Sequence, residues 1–201
     1  MATTVYYCAS SLDGYIAAAD DSIDWLLGYE GTFEDEAADP GPMSEGGSYE
    51  GFYERVRALV LGSVTYEWIL DHLEAAGGGR WPYRGKPCWV LSSRELRPPE
   101  GEGVDVRIVD ASVAELYDEM AAAAGDEVLW VVGGGNVASQ FADEGRLDEV
   151  HMTVVPVVLG TGKPLFERPL PSGSMQLTGI RTFRNGMVEL RYAIRHQARI
   201  D

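Results

Sequence analysis

The sequence predicts an α/β fold: a mixed, mostly parallel central sheet with helices on both faces and a C-terminal antiparallel hairpin. Three observations predict it. Short apolar runs alternate with helical stretches along most of the chain, the pattern of parallel strands joined by crossovers. Glycines stand where strand gives way to helix, most densely at Val131-Val132-Gly133-Gly134-Gly135-Asn136. Near the C-terminus two further runs flank Asn185-Gly186, a dipeptide that suits a tight hairpin turn.

The elements follow in order. Val5 to Ala9 opens as a strand, Asp13-Gly14 marks a turn, and Tyr15-Ile16-Ala17 is a second, short extended piece. From Gly28 to Ser48 the chain is acidic and rich in glycine and proline, which predicts a long surface loop, either a lid or a solvated excursion. Tyr49 to Arg57 reads as helix and Ala58 to Leu61 as a buried strand ending at Gly62. Thr65 to Ala76 is the next helix, with Thr65 as its N-cap and Gly77 as its stop. Pro87 to Leu91 is a strand, Ser92-Ser93-Arg94 a polar turn, and Val104 to Val109 a strand. A helix over Ser112 to Ala124 is capped by Ser112 and closed by Gly125. Glu127 to Val132 is a strand, Asn136 to Ala142 a helix and Val150 to Val155 a strand. Gln176 to Phe183 and Met187 to Ile194 form the hairpin.

Composition bounds the function. The 201 residues are 45% hydrophobic and form a single domain over 1–201, long enough to bury a real core. Net charge is -16, from 32 acidic and 16 basic residues, which argues against nucleic-acid and membrane-surface partners. No apolar stretch approaches membrane-spanning length, and the N-terminus lacks a signal-peptide pattern, so a cytoplasmic location is expected. Cys8 and Cys88 both lie in apolar runs, with no disulfide or metal spacing, and His72, His151 and His196 have none either; no metal is expected.

The triple glycine is the strongest chemical signal. Glycines let backbone approach a ligand closely, and the helix N-terminus beyond offers unpaired N–H groups and a positive dipole end. That suits a pyrophosphate without basic side chains; a tight turn with no ligand is the competing reading. Gly133-x-Gly135-x-x-Ala138 also matches a Rossmann fingerprint, but no acid follows at the required distance. Gly160-Thr161-Gly162-Lys163-Pro164 has the wrong spacing for a phosphate loop.

Five segments in order resemble the dihydrofolate reductase-like superfamily. They are Ser11 to Ala17, Leu61-Gly62-Ser63-Val64-Thr65-Tyr66-Glu67, Leu91-Ser92-Ser93-Arg94, Val131 to Asn136, and Pro156 to Phe166. The resemblance is closest to the reductase (C-terminal) domain of the bifunctional riboflavin-biosynthesis deaminase–reductase and its stand-alone relatives. It implies NADPH across the carboxyl ends of the strands. Ala9 and Ile16 would flank the nicotinamide, and Val132, Gly133, Gly134, Gly135, Asn136 and Val137 would line nicotinamide and pyrophosphate. Gly62, Ser63, Val64 and Thr65 would offer a second helix N-terminus, and Leu91, Ser92, Ser93 and Arg94 would hold the adenosine end. In the family an arginine usually stands where this chain has Ser63, so NADH is an alternative cofactor, with Arg94 as a substitute partner for a 2′-phosphate. Relatives of this kind also imply a homodimer, with the His151 to Val155 strand as a place to look.

Hydride transfer then needs a proton source. Asp13 and Glu50 are the catalytic candidates, with Glu54 and Glu45 beside the latter; a turn former and solvated helix charges are the competing readings. Trp25, Phe52 and Tyr66 would pave a substrate pocket unless they serve core packing. Lys163 and Arg168 would meet an anionic substrate unless they are plain surface residues. The expected function is an NAD(P)H-dependent reductase of a small heterocyclic or imine-like substrate, a riboflavin-precursor pyrimidine or a pterin-like ring. The alternative is a non-catalytic dinucleotide-binding or regulatory module on the same fold.

Overall fold

The structure, a computed structural model, describes residues 1–29, 49–99 and 101–195. Its strands are β1 (Thr3–Ser11), β2 (Tyr15–Ala17), β3 (Val56–Gly62), β4 (Cys88–Leu91), β5 (Val106–Val109), β6 (Val128–Gly133), β7 (Glu149–Val155), β8 (Lys163–Pro164), β9 (Met175–Thr182) and β10 (Val188–Ile194). Its helices are α1 (Asp24–Leu27), α2 (Tyr49–Arg55), α3 (Ser63–Ala75), α4 (Val113–Ala124) and α5 (Gly135–Asp143).

Eight strands form one sheet in the order β5-β4-β3-β6-β1-β7-β10-β9, while β2 pairs with β8 in a separate ribbon. From β5 to β7 every pairing is parallel; β10 and β9 run antiparallel. This is the mixed, mostly parallel sheet with a C-terminal hairpin that the sequence pattern predicts. Strands flanked by neighbours on both edges and helices on both faces must be apolar throughout. Accordingly Ala58, Leu59, Val60 and Leu61 of β3 are all fully buried. On one face Val60, Leu129 and Val131 pack with Met120 of α4 and Phe141 of α5. On the other, Leu59, Leu61 and Trp130 pack with Phe52 of α2 and Ile69 of α3.

That division of helices creates the functional geometry. α3 leaves β3 on one face and leads to β4; α5 leaves the adjacent β6 on the other face and leads past β1 to β7. Neighbouring strands whose crossovers depart in opposite directions open a crevice at their carboxyl ends, where α/β sheets bind ligands.

Several boundaries differ from the sequence reading. The helix expected from Thr65 begins at Ser63, directly out of β3, and its N-cap is Gly62, with no side-chain cap bond. Thr65 is therefore inside the first turn and is not the cap. The expected helix to Arg57 stops at Arg55, because Val56 already pairs with Val128. Two short elements, α1 and β8, were not anticipated. Of the long acidic loop only Gly28 and Tyr29 fall among the described residues. The expected cap of α4 is observed as a full capping box between Ser112 and Glu115. The strand His151 to Val155 is an interior strand of this sheet, paired on both edges with β1 and β10.

Candidate functional site

A cleft of about 530 Å³ lies along the carboxyl ends of β1, β3, β4 and β6. Ala9 and Cys8 of β1 form part of its floor, Gly62 to Thr65 one side, and Val132 to Val137 the other. Leu91 marks one end. Ile16 and Ala17 of β2, with Lys163 and Pro164 of β8, wall the opposite end. The structure thus gathers thirteen predicted cofactor contacts around one cavity: Ala9, Ile16, Gly62, Ser63, Val64, Thr65, Leu91, Val132, Gly133, Gly134, Gly135, Asn136 and Val137. Ser92, Ser93 and Arg94 follow Leu91 immediately but do not line it. Arg94 turns to α3, where its Nη2 donates to Glu67 Oε2 at 2.6 Å.

Two helices present their N-termini to this space. Neither α3 nor α5 has a side-chain cap, their N-cap residues being Gly62 and Gly134. First-turn N–H groups have no acceptor within their own helix and need a partner, and the dipole makes an anion a favourable one. α4, which starts away from the cleft, satisfies its first turn internally through the capping box. The contrast follows the local sequence: glycine at both cleft N-caps leaves the amides uncovered, whereas Ser112 covers them.

The glycine turn also leaves room. A Cβ on Gly134 would project across the cleft to within 3.7 Å of Ile16 Cδ1, and one on Gly133 to within 3.2 Å of Thr65 Oγ1. Side chains here would fill the cradle that the glycines keep open. The Gly133–Gly134 peptide bond is cis. Together, the bare amides and the side-chain-free turn fit a pyrophosphate-bearing dinucleotide.

Few charges line the cleft. Lys163 Nζ pairs with Asp21 Oδ1 at 3.3 Å, and Glu167 Oε2 accepts from Asn136 Nδ2 at 2.6 Å. Asp21 and Glu167 escaped sequence reasoning because they sit in turns far apart in the chain, with no motif around either. Cys8 is half-buried on the cleft floor, and desolvation pushes its thiol up to about 12.

The proposed acids lie elsewhere. Asp13 is outside the lining: its carboxylate accepts from Ser11 Oγ at 2.7 Å and from the backbone N–H groups of Leu159 (3.1 Å) and Gly160 (2.7 Å). These bonds, Ser11 first, hold its carboxyl below the usual range. Asp13 therefore fastens the β1–β2 turn to the loop that leads into β8. Glu50 lies exposed in the first turn of α2, away from the cleft. Among the substrate candidates only Lys163 borders the cavity. Phe52 and Tyr66 are core residues, Phe52 against Tyr7 and Trp130, and Tyr66 fully buried with its hydroxyl donating to Arg97 O at 2.7 Å. Trp25 packs on the small cluster of Val155, Phe183 and Met187. Arg168 pairs with Asp143 at the end of α5. Among the described residues no group of His, Cys, Asp and Glu forms a metal site, and no helix is long and apolar enough to cross a membrane.

Known proteins share this architecture. The chain is 32% identical over 189 residues to YwjB, an uncharacterized protein of Bacillus subtilis (strain 168), covering 94% of this chain and 96% of the relative. A solved structure from Shewanella sp. PV-4, provisionally described as a riboflavin biosynthesis protein, superposes with TM-score 0.73 at 27% identity, covering 96% of this chain and 99% of that one. Dihydrofolate reductase from Enterococcus faecalis, solved with NADP(H), shares the fold at TM-score 0.56 and 16% identity, covering 96% and 97%. The family model for the RibD C-terminal domain matches residues 2–189, and the chain belongs to that family.

Proposed function

We propose that this chain is an NAD(P)H-dependent reductase of a small heterocyclic or imine-like substrate, of the riboflavin-precursor pyrimidine or pterin-like kind, working as a cytoplasmic homodimer. One observation carries the reading: two uncapped helix N-termini face each other across a glycine-lined cleft at the sheet's switch point. Membership of the RibD C-terminal domain family supports the reductase chemistry.

In this reading the amides of Ser63 to Thr65 and of Gly135 to Val137 hold the phosphates. Ala9 and Ile16 flank the nicotinamide at the walled end, and Leu91 to Arg94 receive the adenosine at the open end. The cofactor, when bound, supplies the hydride. The chain orients it, with the β2–β8 wall closing one end of the cleft. Among the described residues both carboxylates lining the cleft are engaged, Asp21 by Lys163 and Glu167 by Asn136, which supports water as the proton donor. Asp13 acts by seating the wall. Among the described residues no cation lines the adenosine end, and Glu67 holds Arg94, which favours use of NADH alongside NADPH.

The engaged carboxylates also favour a second reading, a dinucleotide-binding module without turnover. Titration of NADPH fluorescence, followed by its oxidation with pterin and aminopyrimidine substrates, separates them. Binding with consumption supports the reductase; tight binding without consumption across both substrate classes supports the module; absence of binding sinks both.

A further inference from the structure

The amides at the starts of α3 and α5 account for one part of the cleft. Another part is apolar. Trp68, Ile69 and Tyr83 border it on the face of the sheet that carries α2 and α3, and Ile23 and Leu26 border it from the segment that follows β2. Trp68 and Ile69 stand about one helical turn beyond the first amides of α3. Ile23 and Leu26 come soon after the β2 wall, which puts the α1 side of this lobe at the walled end of the cleft.

The aromatic members are held in place by their neighbours. The half-buried Trp68 indole stacks on the His72 ring, one turn along α3, with centroids 4.9 Å apart and planes 14° apart. Tyr83 meets both Trp81 and Trp130 edge-on, each with centroids 5.5 Å apart. Ile69 is 7% exposed. A flat ring entering this lobe would remove apolar surface from water and immobilise little that is not already ordered.

Charge points the same way. Among the described residues Lys163 is the one basic side chain on the lining, and it is paired with Asp21 at 3.3 Å; Asp21 and Glu167 are its acids, so the lining is net negative. Residues 30–48, outside the described residues, include six acids and no Lys, Arg or His, so they bring no cation to it. The uncapped amides that suit a phosphate are those assigned above to the cofactor, whose pyrophosphate adds further negative charge. A phosphate on the substrate would meet repulsion with no unpaired cation among the described lining residues to answer it.

We infer that the apolar lobe takes the body of the substrate, and that this substrate is an uncharged, flat aromatic molecule that carries no phosphate. The inference rests on the reductase reading for calling that molecule a substrate; the preference itself stands on Trp68, Tyr83 and the charge of the lining.

2-Naphthol and 2-naphthyl phosphate test it, since they share one flat ring system and differ in a phosphate that cannot swing clear of it. Calorimetry follows NADP+ into the protein first, then each naphthyl compound with and without NADP+ present. The expected result is 2-naphthol bound roughly ten-fold more tightly than its phosphate ester, with the gap narrowing as salt is raised. Trp68→Ala should weaken 2-naphthol roughly ten-fold, the worth of one stacked ring. Trp68→Phe should retain most of the binding, and both variants should keep the parent's NADP+ affinity. The phosphate ester bound as tightly as 2-naphthol overturns the inference, as does failure of 2-naphthol to bind at millimolar concentration, or a Trp68→Ala variant that binds it unchanged. Equal losses of 2-naphthol and NADP+ in Trp68→Ala also overturn it, because the aromatic side then belongs to the cofactor. If the preference and its dependence on Trp68 hold while NADP+ does not bind, the reductase reading fails and the specificity of the lobe stands.

Discussion

Replacing Gly135 by Ala sets two effects of opposite sign against each other. Gly135 is the first residue of α5, where alanine has the better helix propensity; even the full interior advantage is about 1 kcal/mol. Packing opposes it. A Cβ at Gly135 would stand 2.4 Å from the Pro164 carbonyl oxygen and 2.9 Å from that of Leu165. Both are backbone atoms, so no side chain can swing away. Either α5 or the β8 wall must shift by about 1 Å to restore van der Waals contact, and overpacking of this kind costs about 1–3 kcal/mol. The net expectation is a loss of about 1 kcal/mol, or roughly 2–4 °C in Tm for a domain of this size. NADPH should also bind more weakly, because both displaced pieces border the cleft. Gly51 in α2 is the control: a Cβ there meets nothing within 4 Å, so Gly51→Ala should raise stability by about 0.5–1 kcal/mol. Calorimetry of both variants decides. Gly135→Ala as stable as the parent would refute the close packing of the β8 wall on α5.

Three further outcomes are expected. Asp13→Ala removes the acceptor of the Leu159 and Gly160 amides, so these two should lose hydrogen-exchange protection and NADPH affinity should fall with the overall fold intact. Glu67→Gln weakens the hold on Arg94, and the ratio of NADPH to NADH affinity should rise several-fold, of the order of one charge-assisted contact; an unchanged ratio shows that Arg94 does not reach the ribose. Glu149 has its carboxyl held below the usual range, first by the His151 hydrogen bond, which burial opposes as the next largest effect, while the charges around it add to the lowering. Its stabilising contribution is present above the ordinary glutamate range and disappears as pH falls through its lowered value. Glu149→Gln should therefore flatten the acid limb of a Tm-against-pH curve and leave stability at pH 7 reduced.

The sheet was legible because central strands such as β3 and β6 are apolar on both faces, and the cleft because glycine is hard to explain inside the Val131-to-Asn136 junction unless backbone must approach something. Other features carry no local signal. α1 and β8 are too short for periodicity, and β8 exists only because Lys163 and Pro164 pair with Ala17 and Tyr15 of β2, far off in the chain. The start of α3 was misplaced by two residues because a threonine looks like a cap, while the observed cap is a glycine acting through backbone geometry alone, with φ −86° and ψ 165°. Asp13 read as a turn former or an acid; its role as a clamp depends on Leu159 and Gly160, which only the fold brings near. The buried charged residues of β9 and β10 were the least legible part. Glu189, Arg181 and Arg191 alternate with apolar residues, and polarity alone assigns them to solvent, yet Glu189 is wholly buried by the hydrogen bonds that receive it.

The central claim is that the amides at the starts of α3 and α5 cradle a dinucleotide. Hydrogen exchange with and without NADPH measures this directly. The account predicts new protection at Ser63 to Thr65 and at Gly135 to Val137 together, with Ser112 to Glu115 at the capped α4 unchanged. Protection at only one of the two helix starts, or none at either while NADPH is bound, would contradict it.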